Sequence, residues 1–285
     1  MSDPARSESQ AKSAARGTSR PVADRSSAEG ASAPAGAQPI HWDVIGPEDA
    51  PPIVFVHGAM MGRSVWRPQI DALADRFRCI SVDLPAHGSQ RKRAFSMDEA
   101  TAGVIAAIDQ AAGGRAVLVG LSLGGYVAMT VAGRHPERVR GLVIAGSTRE
   151  PEGLSRLAFL VYGWGLRLAP EPAVRAVALA WFRRRYGPVM GTAITAGGHF
   201  AKGGSQAVRH LARGRFRDRL LAYGGQILVI NGTMDLVFRI GAKRFLTGVP
   251  GVTNRMIPRA GHLSNVDRPE AFTALVEEFI GTLPP

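Results

Sequence analysis

The 285-residue chain is 45% hydrophobic and 20% charged, enough apolar material for one elaborated domain or two small ones. Its single cysteine, Cys79, excludes an internal disulfide framework, and no run of about 18 apolar residues is present to cross a membrane as a helix. The formal charge of +12 is uneven: residues 149–220 hold thirteen basic and four acidic side chains, whereas the first 38 residues hold five and four. No nucleic-acid-binding motif accompanies this charge, so a nucleic-acid partner is not expected.

Residues 1–38 are rich in Ala, Ser, Gly and Pro and lack aromatic side chains. Such a segment buries too little surface to offset its chain entropy, and it reads as a disordered tail. It contains no apolar core of a secretory signal, so a cytoplasmic location is expected.

From Ile53 the pattern alternates between short apolar runs and amphipathic stretches. PPIVFVHG, CISVDLP, AVLVGLS and RGLVIAGS read as strands. VWRPQIDALADRF, MDEATAGVIAAIDQAA and LGGYVAMTVAGRHP read as the helices between them. Continuous apolar runs indicate parallel strands covered on both faces, hence a doubly wound α/β sheet. Cys79, at the start of such a run, reads as a buried structural thiol.

The rhythm stops near Thr148. Residues 149–220 contain helical pieces broken by Pro and Gly, and the α/β pattern resumes with QILVINGTMD, AKRFLTGV, TNRMIP and EAFTALVEEFIGTL. The expected organisation is a core of 39–148 and 221–285 with a helical lid, 149–220, over the carboxyl edge of the sheet.

The stretch VLVGLSLGGYVAM places Gly120, Ser122 and Gly124 in a G-x-S-x-G pattern between a strand and a helix. A sharp turn there forces the serine into an uncommon backbone conformation, so residues two positions away must lack bulk. Gly125 falls outside that pattern and reads as a close helix–sheet contact. The following helix points its N-terminus, with unpaired N–H groups, at the serine.

A serine hydroxyl needs a base to become a good nucleophile. Seven histidines are available: His41, His57, His87, His135, His199, His210 and His262. His262, after the final strand, lies at the same sheet edge as Ser122 and is the favoured base. His57 and His87 read as structural rings satisfied by backbone groups. Asp235, 27 residues before His262 and just beyond a strand, is the favoured carboxylate to orient the imidazole. Asp83 reads as structural, and Asp267 as an aid to starting the last helix.

With these motifs in chain order, residues 40–285 resemble the α/β-hydrolase fold family. VHGAMMGRSVW resembles its oxyanion loop. DLPAHGSQ resembles a further family segment, with Ala86 where glycine is commoner. GHLSNVDRPEAF resembles the histidine region of esterase-like and lactonase-like members, including 3-oxoadipate enol-lactonases. The resemblance implies an oxyanion hole from the backbone N–H groups of Leu123 and Ala59, with Met60 as the alternative second donor. It implies attack by Ser122 on the carbonyl of a small-molecule ester or lactone. Thioester, amide or carbon–carbon hydrolysis, or perhydrolase chemistry, on the same residues is the alternative enzyme reading. A non-catalytic ligand-binding homologue is the alternative outside enzymes.

No metal-ligand cluster, Walker loop or dinucleotide motif is present, so no metal or cofactor is expected. Trp164, Trp181 and Phe182 are candidates for a substrate pocket in the lid, or else form the lid's own core. The lid arginines are either a solvated face or a means of attracting an anionic substrate or an anionic membrane surface. The oligomeric state is not readable from these features.

Overall fold

Short runs of Val, Ile, Leu and Phe build the centre of a seven-stranded sheet in the computed structural model, which describes residues 40–284. The expected tail, 1–38, lies outside the described residues. The strands are β1 (Trp42–Ile45), β2 (Pro52–Val56), β3 (Arg78–Val82), β4 (Ala116–Leu121), β5 (Val139–Ala145), β6 (Ile227–Gly232) and β7 (Val252–Ile257). They lie in the order β1-β3-β2-β4-β5-β6-β7, and every neighbouring pair is parallel except β1 with β3.

Strand periodicity divides the apolar side chains between two faces. Val54, Val56, Leu118, Ile144 and Val229 join one cluster, while Ile53, Phe55, Val117, Val143 and Leu228 join the other. Helices α2 (Met97–Ala111) and α3 (Leu123–Arg134) cover the first face; α1 (Arg67–Leu73) and α11 (Pro269–Thr282) cover the second. Each fully buried side chain of this kind contributes roughly 1.5–3 kcal/mol, so sheet and helices are mutually dependent. Cys79 is buried within the second cluster, and burial pushes its thiol pKa up to about 12.

The edge strands depart from the central pattern. β1 precedes the expected start of the sheet at Ile53; it has four residues, is mostly exposed and pairs antiparallel. Nothing in so short a stretch carries a period. β7 exposes Thr253, Asn254 and Arg255, polar residues that discourage edge-to-edge pairing.

Between β5 and β6 the chain forms α4 (Gly153–Leu168), α5 (Glu171–Tyr186), α6 (Pro188–Thr195), α7 (Ala201–Leu211) and α8 (Phe216–Tyr223). The expected boundary at 220/221 falls inside α8. Phe216, Leu220 and Tyr223 of that helix are buried in the first core cluster, with the Phe216 and Tyr126 rings 4.5 Å apart. Hydrophobic burial therefore returns α8 to the layer over the sheet, and the insertion proper is α4–α7. It is tied to the loop after β2, where Phe200 N–H donates to the Met60 carbonyl at 2.8 Å and Ser64 Oγ donates to the Ile194 carbonyl at 3.0 Å. The remaining helices are α9 (Leu236–Leu246) and the short α10 (Ser264–Asp267).

Candidate active site

Ser122 occupies the single residue between β4 and α3, at φ 52° and ψ −116°. Such a conformation costs a non-glycine residue on the order of 1–3 kcal/mol, and the surrounding packing enforces it. A Cβ on Gly120 would lie 2.4 Å from the Gly124 carbonyl oxygen, and one on Gly124 would lie 2.0 Å from that of Val56. Neither position tolerates a side chain. A Cβ on Gly125 would meet Ser147 Oγ at 2.1 Å, consistent with its expected role in close helix–sheet packing.

His262 comes from the loop between β7 and α10. Its Nδ1 lies 2.8 Å from Asp235 Oδ2, and its ring stacks on Phe238 at a centroid distance of 4.9 Å and an interplanar angle of 19°. Asp235 is buried at the N-terminus of α9, where its other oxygen accepts from Phe238 N–H at 3.4 Å. One carboxylate thus holds both the imidazole and the aromatic ring against which the imidazole rests. Phe238 belongs to no motif, and nothing in the sequence singles it out.

The end of β5 brings serine and histidine together. Ser122 N–H donates to the Ala145 carbonyl at 2.7 Å, and the next residue, Gly146, faces the His262 ring. Among the described residues no hydrogen bond joins the Ser122 hydroxyl to His262. Such contacts are often long without substrate and tighten once it binds.

The loop after β2 flanks the serine, with the Gly58 Cβ position 3.4 Å from Ser122 Cβ. Leu123 opens α3, so its N–H has no acceptor within the helix. Met60 N–H donates to His87 Nε2 at 3.0 Å, whereas His87 Nδ1 lies 2.9 Å from the Pro85 carbonyl. These partners make Nδ1 the protonated nitrogen of a neutral ring. Burial, reinforced by neighbouring His57, pulls the His87 pKa down to about 3. His57 is likewise depressed by burial; its Nδ1 faces the Gly58 carbonyl and its Nε2 accepts from Leu84 N–H.

Asp83 is fully buried and accepts from the backbone N–H groups of Arg63 and Ser89 and from the Arg63 guanidinium. Arg63 also bonds Asp43 of β1, so one arginine joins three segments. Asp267 does not cap the last helix, contrary to the sequence reading. It accepts from Gly261 N–H at 2.7 Å, Tyr186 hydroxyl at 2.9 Å and Arg185 at 3.1 Å. Its place at the end of α10 points it back toward the histidine loop and the insertion.

Of the pocket candidates, Trp181 and Phe182 line an apolar cavity of about 540 Å³ with Val174, Val177 and His199. Trp164 stands apart from that cavity, half-exposed on α4 between the guanidinium groups of Arg167 and Arg209. His199 Nδ1 is buried without a partner among the described residues, and burial lowers its pKa. Nothing in TAGGHFAKGG singles that histidine out beforehand. Among the described residues, no group of three or more His, Cys, Asp or Glu side chains could hold a metal ion, and no helix is long and apolar enough to cross a membrane.

Residues 53–275 match the model of the alpha/beta hydrolase family. A 3-oxoadipate enol-lactonase of Acinetobacter baylyi is 25% identical over 248 residues, covering 84% of this chain and 91% of the relative. A pimeloyl-[acyl-carrier protein] methyl ester esterase of Nitrosomonas europaea is 29% identical, covering 82% and 97%. The solved structure of an enol-lactonase from Burkholderia xenovorans superposes with a TM-score of 0.72 at 24% identity, covering 85% of this chain and 96% of that one. The sharp turn at Ser122, the parallel sheet beneath it and these matches agree: the chain belongs to the alpha/beta hydrolase family.

Proposed function

We propose that this hydrolase cleaves a small carboxylic ester or lactone through an acyl-enzyme formed on Ser122. The observation that carries the reading is the 2.8 Å Asp235–His262 contact at the sheet edge that also presents Ser122. Asp235 orients His262 so that Nε2 faces the nucleophile, and it stabilises the imidazolium that forms. His262 removes the serine proton as Oγ attacks the carbonyl, then returns that proton to the leaving alkoxide. Water, activated by the same imidazole, hydrolyses the acyl-enzyme.

The developing oxyanion is held by the N–H groups of Leu123, at the start of α3, and Ala59. Met60 is the weaker second donor, because its N–H is already committed to His87. Each such donor is worth roughly 2.7–4 kcal/mol of transition-state stabilisation. Two relatives are named for a lactone and an ester, which supports the same reaction class. No metal or cofactor enters the mechanism.

A fluorophosphonate probe tests the nucleophile. The wild-type chain is expected to be labelled and Ser122→Ala to remain unlabelled; equal labelling of both would end the assignment. Asp235→Asn and His262→Ala are each expected to lower kcat on a reactive ester by about 10⁴-fold with unchanged circular dichroism. Near-normal turnover in either variant would reassign that role.

A further inference from the structure

Helix α4 carries Leu154, Leu157, Val161, Trp164 and Leu168, spaced alternately by three and four residues. That spacing aligns them on one face, as on an amphipathic helix whose apolar stripe is buried. Here the stripe faces outward. Leu154 and Leu168 are both 82% exposed and Val161 is 63% exposed. The opposite face, through Ser155, Phe159 and Gly163, rests on α7, where a Cβ on Gly163 would touch Arg209 Cγ at 2.8 Å. The core thus takes the narrower face of α4 and leaves the more apolar one uncovered.

The uncovered surface extends beyond α4. Leu154 and Ile240 of α9 line one groove of about 720 Å³, whose rim mixes Arg149, Arg215, Arg217 and Arg244 with Glu150, Glu152 and Asp218, so the basic excess of this face comes from the helices and not from the groove. Met234, Leu236 and Val237 near the start of α9 are also exposed. Five large apolar side chains aligned on one exposed helix face mark an interaction site rather than ordinary surface scatter.

Charge identifies the partner. Arg156 and Arg167 are the charged residues of α4, and α5 contributes Arg175, Arg183 and Arg184 against Glu171. Arg156, Arg175, Arg183 and Arg184 form no ion pair with a described residue; Arg185, by contrast, is bound to Asp267. Two copies of this chain docked through such faces would bring two strongly basic segments together. An anionic lipid surface instead satisfies both features: acyl chains accept the Leu and Val side chains, and phosphates accept the arginines. Trp164, with an apolar ring flanked by two guanidinium groups, has the character of a side chain at a bilayer–water boundary.

We propose that the exposed face of α4, together with the arginines of α4 and α5 that form no ion pair, docks on an anionic membrane surface. This inference is independent of the hydrolytic assignment, because it rests on side chains outside the candidate triad.

The test is flotation of the full-length chain with vesicles of phosphatidylcholine alone or of phosphatidylcholine with phosphatidylglycerol. At about 0.05 M salt, partitioning onto the anionic vesicles is expected to exceed that onto the neutral ones by roughly tenfold, and to collapse at about 0.5 M. The triple variant Leu157→Ser, Val161→Ser, Leu168→Ser and the triple variant Arg156→Gln, Arg175→Gln, Arg184→Gln should each lose about tenfold in partitioning. Thermal melting of both variants checks that the fold is intact. Equal flotation on the two vesicle types would overturn the proposal, as would undiminished binding by the folded serine variant. A solution dimer that the serine variant dissociates would give the face to a second copy and likewise overturn it.

Discussion

Gly146 carries two constraints at one position. Its φ of 58° lies in the left-handed region, and a Cβ there would stand 2.9 Å from His262 Cε1 and Nδ1. Gly146→Ala therefore costs about 1–2 kcal/mol in backbone strain and also pushes the imidazole from its place between Asp235 and Phe238. The expected result is a modestly lowered melting temperature and, with His262 as the proposed base, kcat reduced by roughly 100-fold, since small misplacements of such a group are costly. A kcat within twofold of wild type would mean that the ring has room to relocate. Gly146 looks like any glycine in LVIAGST; only through-space proximity to residue 262 gives it meaning. Ser122 differs, because the pattern that marks it, Gly120 and Gly124, is written in the adjoining sequence, although the Val56 carbonyl that excludes a side chain at Gly124 is remote.

At the scale of elements, Asp267 joins three parts of the chain by accepting from Gly261 N–H, the Tyr186 hydroxyl and Arg185. Its position two residues before Pro269, a good first-turn signal, predicts a role at the start of the last helix. Pro269 does open α11, but the Asp267 side chain bonds elsewhere. Asp267→Ala is expected to lower stability by about 2 kcal/mol, a shift of roughly 5 °C by calorimetry. Tyr186→Phe, which removes the insertion contact and leaves the Gly261 bond, should shift melting by less than half as much. Equal shifts would place the strength of the junction in the tyrosine. Helix α8 gives a related case. α8 is short and basic, and only its packing on α3 shows that Phe216, Leu220 and Tyr223 belong to the core.

For the molecule as a whole, the buried histidines set a dependence of stability on pH. His87 is held neutral, its pKa lowered to about 3 from 6.5, so the unfolded chain binds a proton that the folded chain refuses. This contribution is fully present above about pH 6.5 and is lost as the pH falls from there toward 3. The slope is about 1.4 kcal/mol per pH unit for one such group. His57, also depressed by burial, acts in the same direction. Denaturation of wild type and of His87→Gln between pH 6.5 and 4 should give parallel loss in everything except this slope, which is shallower in the variant. Identical slopes would mean that His87 takes up its proton without unfolding.

The sequence alone determined the alternation of strands and helices, the strained turn at Ser122 and a short set of candidate bases and acids. Periodicity, turn sterics and motif spacing are local properties, readable within about twenty residues. Tertiary structure decided the rest. It placed Asp235 at 2.8 Å from His262, committed Met60 N–H to His87 and turned Asp267 toward the insertion. It also settled which face of α4 meets α7 and which is left to solvent. These are contacts between segments remote in sequence, fixed by how helices pack on a sheet and not by the preference of any one segment. VLVGLSLGGYVAM names the serine; the segments that follow β2, β5, β6 and β7 supply what surrounds it.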